Sequence, residues 1–535
     1  MKDWAEHSLR EVSRTRQSRA TQPPLVFADA ETQALLREFH PDHADHGRRV
    51  SLGANAGDRP FPPELADLLE ADSPLAENFA SATDLETDVL IIGGGGAGVS
   101  AALELEGAGL SVHLATKLRL GDSNTVMAEG GIQSSLGDGD SAARHFADSY
   151  VGGHGNNDTG LLRILCEAAP DAIRRLARLG CLFDQNADGT FRLRRGGGTS
   201  IPRILTCRDY TGLEIMRVLR DAMRQGTTHL LERHAAVELT DDGQGQVTGA
   251  VLWNSATDKL LAVSARAVLL ATGGSGQLRL QGFPTSNHLG ATGDGLVLAY
   301  RQGCRLVHMD SFQYHPSGAC YPEALAGQLL TESIRAIGAQ LLNADGARFV
   351  DEMTYRDVVA AAILRECRAG RGVNAPSGRV GVWLDTPLID LKQGAGTLHR
   401  RLPGLMHRFA RYGIDPAEQP LLVYPTLHYQ NGGICIDDQC RTEAVGLWAA
   451  GEVTGGLHGT NRLMGNSLLD ILVFGRRAAC SIRDNLPRRG AVTLAALAQH
   501  RKNLQQLQRP PGATAPKLYP DACGLKITPA SGAGR

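Results

Sequence analysis

The 535-residue sequence lacks a long apolar run, an excess of charge of one sign and any C-x-x-C pair. No glycine-poor apolar run reaches the ~18 to 20 residues of a membrane span, and the N-terminus has no apolar signal-peptide core. The 55 basic and 57 acidic residues are evenly mixed, so nothing favours nucleic acid or an anionic membrane as a partner. We therefore expect a soluble, cytoplasmic protein that has no membrane span and binds no nucleic acid.

The ten cysteines and the histidine-rich stretch at 40–49 have no regular metal-ligand spacing. Cys435 and Cys440 are the closest cysteine pair, but no third and fourth ligand stands nearby, which disfavours a zinc or iron–sulfur site. Most cysteines are expected to be small buried side chains in a reducing cytosol. For the three histidines at 40–49, a solvated arm that packs over the main body is favoured over a metal site. We predict no metal site.

Glycine, by contrast, is abundant, because the 63 glycines make up about 12% of the chain against a usual ~7%. In residues 87–102, TDVLIIGGGGAGVSAA, Gly93, Gly95 and Gly98 have the spacing G-x-G-x-x-G. These glycines allow a tight turn, close approach of the backbone to a pyrophosphate and close helix–sheet packing. The preceding residues 89–92 are continuously apolar, as in a buried parallel strand. We predict a dinucleotide site here, the alternative being a purely structural glycine-rich turn.

Two later stretches repeat this order of strand, glycines and helix. Residues 265–276 are a second apolar strand followed by a double glycine, and residues 290–303 place Asp294 at the start of an apolar helix. The alternative for the second stretch is an ordinary helix N-terminus, with Asp294 near the positive end of the dipole. The polar segment at 121–141 is too long for a simple connection, which favours a functional loop.

The same pattern returns near the C-terminus, after a shift in composition at residues 308–423 to a polar stretch rich in proline and arginine. The sequence therefore predicts an α/β fold with a discontinuous main domain and an inserted second domain. The expected parts are an N-terminal extension (1–85), the first part of the main domain (86–307), the inserted domain (308–423), the second part of the main domain (424–484), and a short C-terminal helix and tail (485–535).

From about 86 to 482 the motifs follow in an order that resembles the flavoprotein family of succinate dehydrogenase, fumarate reductase and L-aspartate oxidase. They include G-x-G-x-x-G, A-x-G-G, A-T-G-G, T-G-D-G, T-E-x-x-R, H-Y-x-x-G-G, H-G-x-N-R and N-S-L. The resemblance implies a Rossmann-like FAD-binding domain and an α+β capping domain that closes over a C4 dicarboxylate. The family commonly has Ser-Lys where this chain has Thr116 and Lys117, which explains why no acidic residue is present to hold an adenosine ribose.

The resemblance assigns FAD contacts to the glycine motifs, to the segment around 123–125 and to the start of the last long helix. The implied cofactor-binding residues are Gly93, Gly95, Gly96, Gly98, Thr116, Lys117, Ser123, Asn124, Thr125, Gly130, Gly131, Thr272, Gly273, Asp294, Glu452, Asn466, Ser467 and Leu468. In the membrane-bound relatives a histidine carries covalent FAD, whereas this chain has Asn124, so we expect noncovalent FAD.

Four residues match the family's carboxylate-binding positions: His315, Thr331, His428 and Arg462. Binding two carboxylates in a water-poor pocket needs fixed cations, and arginine supplies a planar fork that stays charged. Taken singly, each histidine would more often be structural.

Arg356 matches the family's catalytic arginine, which exchanges a proton with the substrate while hydride passes between carbon and flavin N5. Glu332 and Arg335 match its proton relay, and their spacing of three places both on one helix face. The alternative is a surface salt bridge.

Among the family's substrates, the residues favour L-aspartate slightly over succinate and fumarate. Asn124, the long loop before Thr331 and the N-S-L-L-D sequence favour L-aspartate oxidase, which makes iminoaspartate for NAD biosynthesis and passes electrons to oxygen or fumarate. Gly196 stands where aspartate oxidases place a glutamate for the substrate ammonium, and its absence should weaken selectivity for an amine. The alternatives are a fumarate reductase or succinate dehydrogenase flavoprotein that needs a redox partner protein, and a catalytically silent FAD-binding subunit of an assembly.

Overall fold

The computed structural model describes residues 2–43, 47–77, 79, 83–507 and 514–520. The helices are α1 (Lys2–Arg19), α2 (Asp29–Phe39), α3 (Pro63–Leu69), α4 (Gly96–Leu105), α5 (Ala142–Gly152), α6 (Thr159–Arg178), α7 (Thr211–Arg224), α8 (Asp294–Arg301), α9 (Ser333–Ala336), α10 (Arg356–Arg368), α11 (Pro387–Gln393), α12 (Thr397–Arg401), α13 (Pro403–Ala410), α14 (Asn466–Asp484) and α15 (Ala495–Gln506). Each of these helices is too short or too polar to cross a membrane.

The strands form two larger sheets and two small pairs. They are β1 (Leu85–Ile92), β2 (Val112–Thr116), β3 (Ile132–Gln133), β4 (Ile204–Leu205), β5 (His229–Glu232), β6 (His234–Asp241), β7 (Val247–Asn254), β8 (Lys259–Leu270), β9 (Leu306–Val307), β10 (Phe312–Ala319), β11 (Gln340–Leu342), β12 (Val373–Asn374), β13 (Val380–Asp385), β14 (Leu421–Gln430), β15 (Gly433–Ile434) and β16 (Leu447–Ala449).

The larger sheet has seven strands in the order β5-β2-β1-β8-β7-β6, with β16 also on β8. Strand β1 lies parallel between β2 and β8, and Val89 is in register with both Val112 and Ala267. Residues 89–92 are all buried. The predicted buried parallel strand is thus confirmed, because a strand covered on both faces needs apolar residues at consecutive positions.

Strand β8 joins two distant parts of the sequence. Its first half pairs antiparallel with β7, as in Ala250↔Val263, and its last residues pair parallel with β16, as in Val268↔Leu447. The chain therefore returns to the sheet of β1 after forming the smaller sheet.

Helix α4 packs closely against the start of its own motif and against α14. A Cβ on Gly98 would lie 1.9 Å from the carbonyl oxygen of Gly93, and a Cβ on Gly475 would lie 2.4 Å from that of Ala97. Both clashes involve backbone rather than the end of a flexible side chain. Gly98 therefore serves the close helix–strand packing expected of the last glycine in the motif.

The smaller sheet has five strands, β10-β14-β13-β11 with β12 on β13, and its pairs are antiparallel. Helix α10 packs across β10, β13 and β14 and buries Val359 and Ile363 against them. Strand β14 spans the boundary predicted at 423, and the predicted domain limits remain predictions.

The N-terminal arm packs on both parts of the molecule. Helix α2 lies on α10, and Arg19 of α1, which is 2% exposed, donates to Asp385 of β13 at 2.8 Å. Further along the arm, the hydroxyl of Tyr300 in α8 donates to the carbonyl of Leu52. The arm therefore contacts both the smaller sheet and helix α8, which packs on the larger sheet. Residues 44–46 of the histidine-rich stretch, and Cys523 with the rest of the tail at 508–513 and 521–535, lie outside the described residues.

Candidate cofactor cleft and active site

A cleft lies at the carboxyl ends of β1, β2, β8 and β16. The residues that directly follow these strands line it, namely 93–97, 116–118, 271–273 and 450–452. Open parallel sheets bind their ligands at this edge. The glycine motif and the two later strand–glycine stretches therefore meet at one site, although they are far apart in the sequence.

Helix α4 begins in this cleft without a side-chain cap. Its N-cap residue, Gly95, offers no side chain, and the φ angle of Gly93 is 123°, in the region that favours glycine. The N–H of Gly96 donates to Thr125 Oγ1 at 3.1 Å. Because a helix N-terminus carries unbonded N–H groups and partial positive charge, this part of the cleft suits a pyrophosphate.

Two polar features lie at the same cleft. Lys117 Nζ is 2.6 Å from Asp294 Oδ2 and donates to the carbonyl of Leu518 at 2.7 Å. The buried Oγ1 of Thr272 has no hydrogen-bond partner among the described residues. A buried hydroxyl without a partner costs free energy, so Thr272 fits a cleft that receives a polar ligand.

A second cavity of about 580 Å³ continues from the cleft towards the smaller sheet. The two cavities share Asn124, Thr125, Glu452 and Ile471, and the second adds Ser467 and His428. Where they meet, Asn124 Nδ2 donates to Glu452 Oε2 at 3.1 Å. Burial raises the pKa of Glu452, and the donors around its carboxylate oppose that shift. Together the cavities form an elongated space that ends beside His428.

Beyond this space, Glu332 is bonded by two arginines. Arg356 Nε donates to Glu332 Oε2 at 2.8 Å, Arg335 Nη2 lies 3.4 Å from the same oxygen, and the N–H of Gly197 donates to Oε1 at 2.8 Å. Burial alone would raise the pKa of Glu332, but the two guanidinium groups and the Gly197 N–H together lower it to about 2. The carboxylate is therefore ionised at neutral pH. The three residues are all buried, unlike a surface salt bridge.

A third buried arginine, Arg462, lies close to Arg356. Its Nη2 donates to Gln313 Oε1 at 2.8 Å, and its guanidinium carbon lies 4.3 Å from the centre of the Tyr429 ring. Burial lowers the pKa of Arg462, and the positive charge of Arg356 lowers it further, to about 10. Arg462 is therefore charged at neutral pH, and with Arg356 beside it the pocket has a concentrated positive charge suited to an anion.

His315 and His428 lie side by side at this pocket, with ring centres 5.2 Å apart. Burial lowers the pKa of each well below its usual value, and Arg356 lowers both further, so both rings are neutral at pH 7. His428 Nδ1 lies 2.8 Å from Ser286 Oγ. Neutral imidazoles can donate a hydrogen bond to a carboxylate without adding another charge.

A β-bulge brings His428 into this pocket. Strand β10 pairs with β14 as Gln313↔Tyr429 and then Tyr314↔Leu427, so His428 is the extra residue at the shift of register. Bulges re-aim side chains and are frequent next to active sites. Thr331 is buried at the start of α9, where its Oγ1 accepts from the N–H of Ser333 at 3.3 Å.

The profile of the family described as FAD binding domain matches residues 88–468. The chain belongs to this FAD-binding family. The flavoprotein therefore binds FAD, and its cleft fits that cofactor at the glycine turn, at the uncapped end of α4 and at the unpartnered hydroxyl of Thr272.

Two curated relatives have different activities. L-aspartate oxidase of Streptomyces coelicolor is 38% identical over 411 residues, which are 74% of this chain and 68% of the relative. One subunit of the CoM/CoB fumarate reductase of Methanothermobacter marburgensis is 37% identical over 411 residues, which are 75% of this chain and 73% of the relative. Among solved structures, the quinol fumarate reductase FrdA of E. coli has a TM-score of 0.72 and 32% identity, covering 80% of this chain and 74% of that one. The mixed α/β fold is similar to that of the fumarate reductase flavoprotein.

The predicted FAD contacts of the flavoprotein fall into three groups. Those that line the main cleft are Gly93, Gly95, Gly96, Thr116, Lys117, Ser123, Asn124, Thr125, Thr272, Gly273, Asp294 and Glu452. Ser467 and Leu468 line the second cavity. Those that line neither cavity are Gly98, Gly130, Gly131 and Asn466; Asn466, for example, bonds His145 and Ser149. For all three groups direct contact with FAD stays a prediction.

The glycines at 196–198 lie next to the proposed proton relay. The N–H of Gly197 bonds Glu332. Gly196 exchanges hydrogen bonds with Thr199, whose Oγ1 donates to the carbonyl of Gly196 at 2.9 Å. A Cβ on Gly196 would lie 3.2 Å from Met464 Cε, so the surroundings at this position are apolar. Gly196 thus supplies backbone but no anion.

Sequence reasoning did not identify Gln313. This buried side chain accepts hydrogen bonds from both Arg356 and Arg462. A signal was available, because Gln313 lies two residues before His315, and alternate residues of a strand share a face.

Proposed function

We propose that this FAD-dependent oxidoreductase acts on a C4 dicarboxylate, and that it interconverts succinate and fumarate. The observation that carries the proposal is the convergence of Arg356 and Arg462 on one point, 2.9 and 2.8 Å from Gln313 Oε1, beside two neutral histidines. A dicarboxylate needs fixed cations and uncharged donors at both ends, and these residues supply them. Thr331, His315, His428 and Arg462 would bind the carboxylates.

Succinate and fumarate are favoured over L-aspartate by the carboxylates around the pocket. Glu332 is bonded by two arginines and Gly197, and Glu452 accepts from Asn124 and from the N–H of Gln430. Gly196 adds no side chain. An ammonium group beside these guanidinium groups would need an anion of its own.

L-aspartate oxidation to iminoaspartate is the second candidate. Asn124 supports it, because this residue lines the cleft where a histidine would be needed for covalent FAD, and noncovalent FAD fits the oxidase. The electron acceptor is then oxygen or fumarate; in the first candidate it is a redox partner protein. Cytoplasmic location remains a prediction for both.

Bound FAD would supply the two-electron chemistry, while the protein's own residues would move the proton. Arg356 would exchange a proton with the substrate carbon. In fumarate reduction Arg356 would donate that proton and regain one from Arg335 through Glu332, which lies 2.8 Å from Arg356 Nε; succinate oxidation would reverse these transfers. Arg335 is held in place by the bond from its Nη1 to the carbonyl of Glu352. Because the pKa of Glu332 is low, a proton would reside on it only in passing between the two arginines.

The two sheets correspond to these two roles, cofactor binding and proton transfer to the substrate. We propose that the larger sheet belongs to a discontinuous Rossmann-like FAD-binding domain, and that the smaller sheet, with α10, belongs to a capping domain that carries His315 and Arg356 to the cofactor. The parallel order of β2, β1 and β8 and the return of β16 to β8 support the first assignment. Burial of the substrate pocket between the two sheets supports the second.

The deciding experiment is anaerobic incubation of purified holoprotein with succinate or with L-aspartate, followed by flavin absorbance near ~450 nm. We expect bleaching by succinate and reoxidation of chemically reduced protein by fumarate. Bleaching by L-aspartate alone would replace the first candidate with the second. No bleaching by either, with no reoxidation by fumarate, would indicate the silent FAD-binding subunit.

A further inference from the structure

One buried amide, Gln313, joins the two arginines of the candidate site. The side chain is 2% exposed. Its Oε1 accepts from Arg356 Nη1 at 2.9 Å and from Arg462 Nη2 at 2.8 Å. Two positively charged groups that would otherwise repel each other therefore share a single neutral acceptor.

The orientation of this amide is fixed by its other end. Gln313 Nε2 donates to the carbonyl of Arg462 at 2.7 Å and to Asn461 Oδ1 at 3.1 Å. Asn461 Nδ2 in turn donates to the carbonyl of Gly152 at 3.0 Å. A guanidinium group can only donate, so the oxygen of Gln313 must face the arginines and the nitrogen must face the carbonyl.

The choice of a neutral acceptor has an electrostatic consequence. A glutamate at this position would form ion pairs with both arginines and cancel much of the charge that an anionic substrate needs. An apolar side chain would leave buried N–H groups of both arginines without a partner. A glutamine avoids both, because it bonds the arginines and leaves their charge uncancelled.

We propose that Gln313 is a positioning residue that holds the guanidinium groups of Arg356 and Arg462 at a fixed spacing while leaving their positive charge for the substrate. The inference rests on the proposed function, because it takes the substrate to be a C4 dicarboxylate. Gln313 serves the two arginines differently. It sets the direction of the Arg356 guanidinium group for proton transfer, and it leaves the positive charge of Arg462 available for substrate binding.

This difference separates two substitutions. Gln313→Glu keeps the shape and adds a negative charge, so the dissociation constant of fumarate and KM should rise at least about 20-fold, with kcat less affected. Gln313→Leu removes the acceptor and adds no charge. Arg356 then loses its direction, so kcat should fall about 100-fold while KM changes less than about fivefold.

The chain contains a matched control in Gln340, on the strand β11. Gln340 Oε1 also accepts from an arginine, Arg19 Nη1 at 3.0 Å, and its Nε2 donates to the carbonyl of the same residue at 3.2 Å. Arg19 belongs to the N-terminal arm rather than to the pocket. Gln340→Glu and Gln340→Leu should therefore leave KM and kcat within about twofold.

The experiment uses full-length holoprotein with matched FAD content. Fumarate binding is measured from the change in flavin absorbance, and kcat and KM from fumarate reduction by a chemically reduced dye. If Gln313→Leu loses FAD, the isosteric Gln313→Glu carries the test alone. Wild-type kcat in Gln313→Leu, or unchanged fumarate affinity in Gln313→Glu, would overturn the positioning role alone. A wild-type protein that binds no C4 dicarboxylate would overturn the proposed function and this inference together.

Discussion

The cofactor cleft and the substrate pocket are formed by different kinds of residue. The cleft is lined by glycines and short polar side chains that directly follow strands of one sheet, with Lys117 and Asp294 as a charged pair. The pocket is built from buried polar and charged side chains, three of them arginines, that come from positions spread between 313 and 462. Backbone shape decides the first site, and buried charge decides the second.

The two sites should therefore tolerate different amino-acid substitutions. A cleft made by close backbone approach fails when a single atom is added where no space exists. A pocket made of buried charged side chains keeps its shape after a conservative substitution but loses catalytic activity. The same protein should therefore lose cofactor and activity by separate routes.

The broadest effect is expected from Gly98→Ala, which should remove cofactor and activity together. The added Cβ would lie 1.9 Å from the carbonyl oxygen of Gly93, so the turn and α4 must move apart. We expect at least about a tenfold loss of bound FAD, measured by flavin absorbance per protein. The matched control is Gly160→Ala, an exposed position in α6 where the nearest atom is a side-chain oxygen, Asp158 Oδ1, at 3.2 Å. Full FAD content in Gly98→Ala would show that backbone fit does not decide the cleft.

Arg356→Gln should impair the substrate pocket and leave the cofactor cleft unchanged. We expect FAD content to stay unchanged and kcat to fall by about a thousandfold, because the proton-exchanging group is lost while the other cations remain. Arg365→Gln provides the control, since Arg365 lies on the same helix α10 but pairs with Glu366 at its partly exposed end. A variant at position 356 that turns over near normally would remove Arg356 from the mechanism.

The smallest effect concerns stability against pH. The pKa of Glu332 is lowered from the usual 4.5 to about 2, so its contribution to folding stability is fully present above pH 4.5 and is lost as the pH falls towards 2. This contribution is on the order of 3 kcal/mol. Glu332→Gln should flatten the fall in unfolding free energy between pH 4.5 and 2, measured by denaturant titration.

A second glutamate, which is half-buried, offers a control of opposite sign. Glu129 bonds Arg408, but burial raises the pKa of Glu129 to about 7, so its contribution is present below pH 4.5 and is lost as the pH rises through 7. Glu129→Gln should therefore change the stability profile between pH 4.5 and 7 and not below it. If unfolding free energy depended on pH in the same way in the two variants, the lowered pKa of Glu332 in the pocket would be contradicted.

The cleft was the more predictable of the two regions. Residues 87–102 carry strand, turn and helix in one continuous stretch, and β1 and α4 formed there as expected. The helix after Gly293 also begins at Asp294 as expected. Such local patterns suffice where adjacent residues determine the structure.

The pocket and the arm were less predictable because they depend on contacts distant in sequence. Nothing local to His428 indicates a β-bulge, which arises from the pairing of β14 with β10. Gln313 acquires its importance only when Arg356 and Arg462 converge on it. The arm was expected to pack over the body, but its attachment to α10 and β13 depends on partners more than 300 residues away.

That separation has a consequence for how the protein is made. Arg19 and its partner Asp385 are 366 residues apart. At ribosomal speeds of ~5 to 20 residues per second, α1 and α2 wait roughly 20 to 70 s before β13 has been synthesised. Throughout that interval Leu35 and Leu36, which are buried in the finished protein, lack the surface they pack against. Helices α1 and α2 thus cannot complete their native packing until most of the chain has been synthesised.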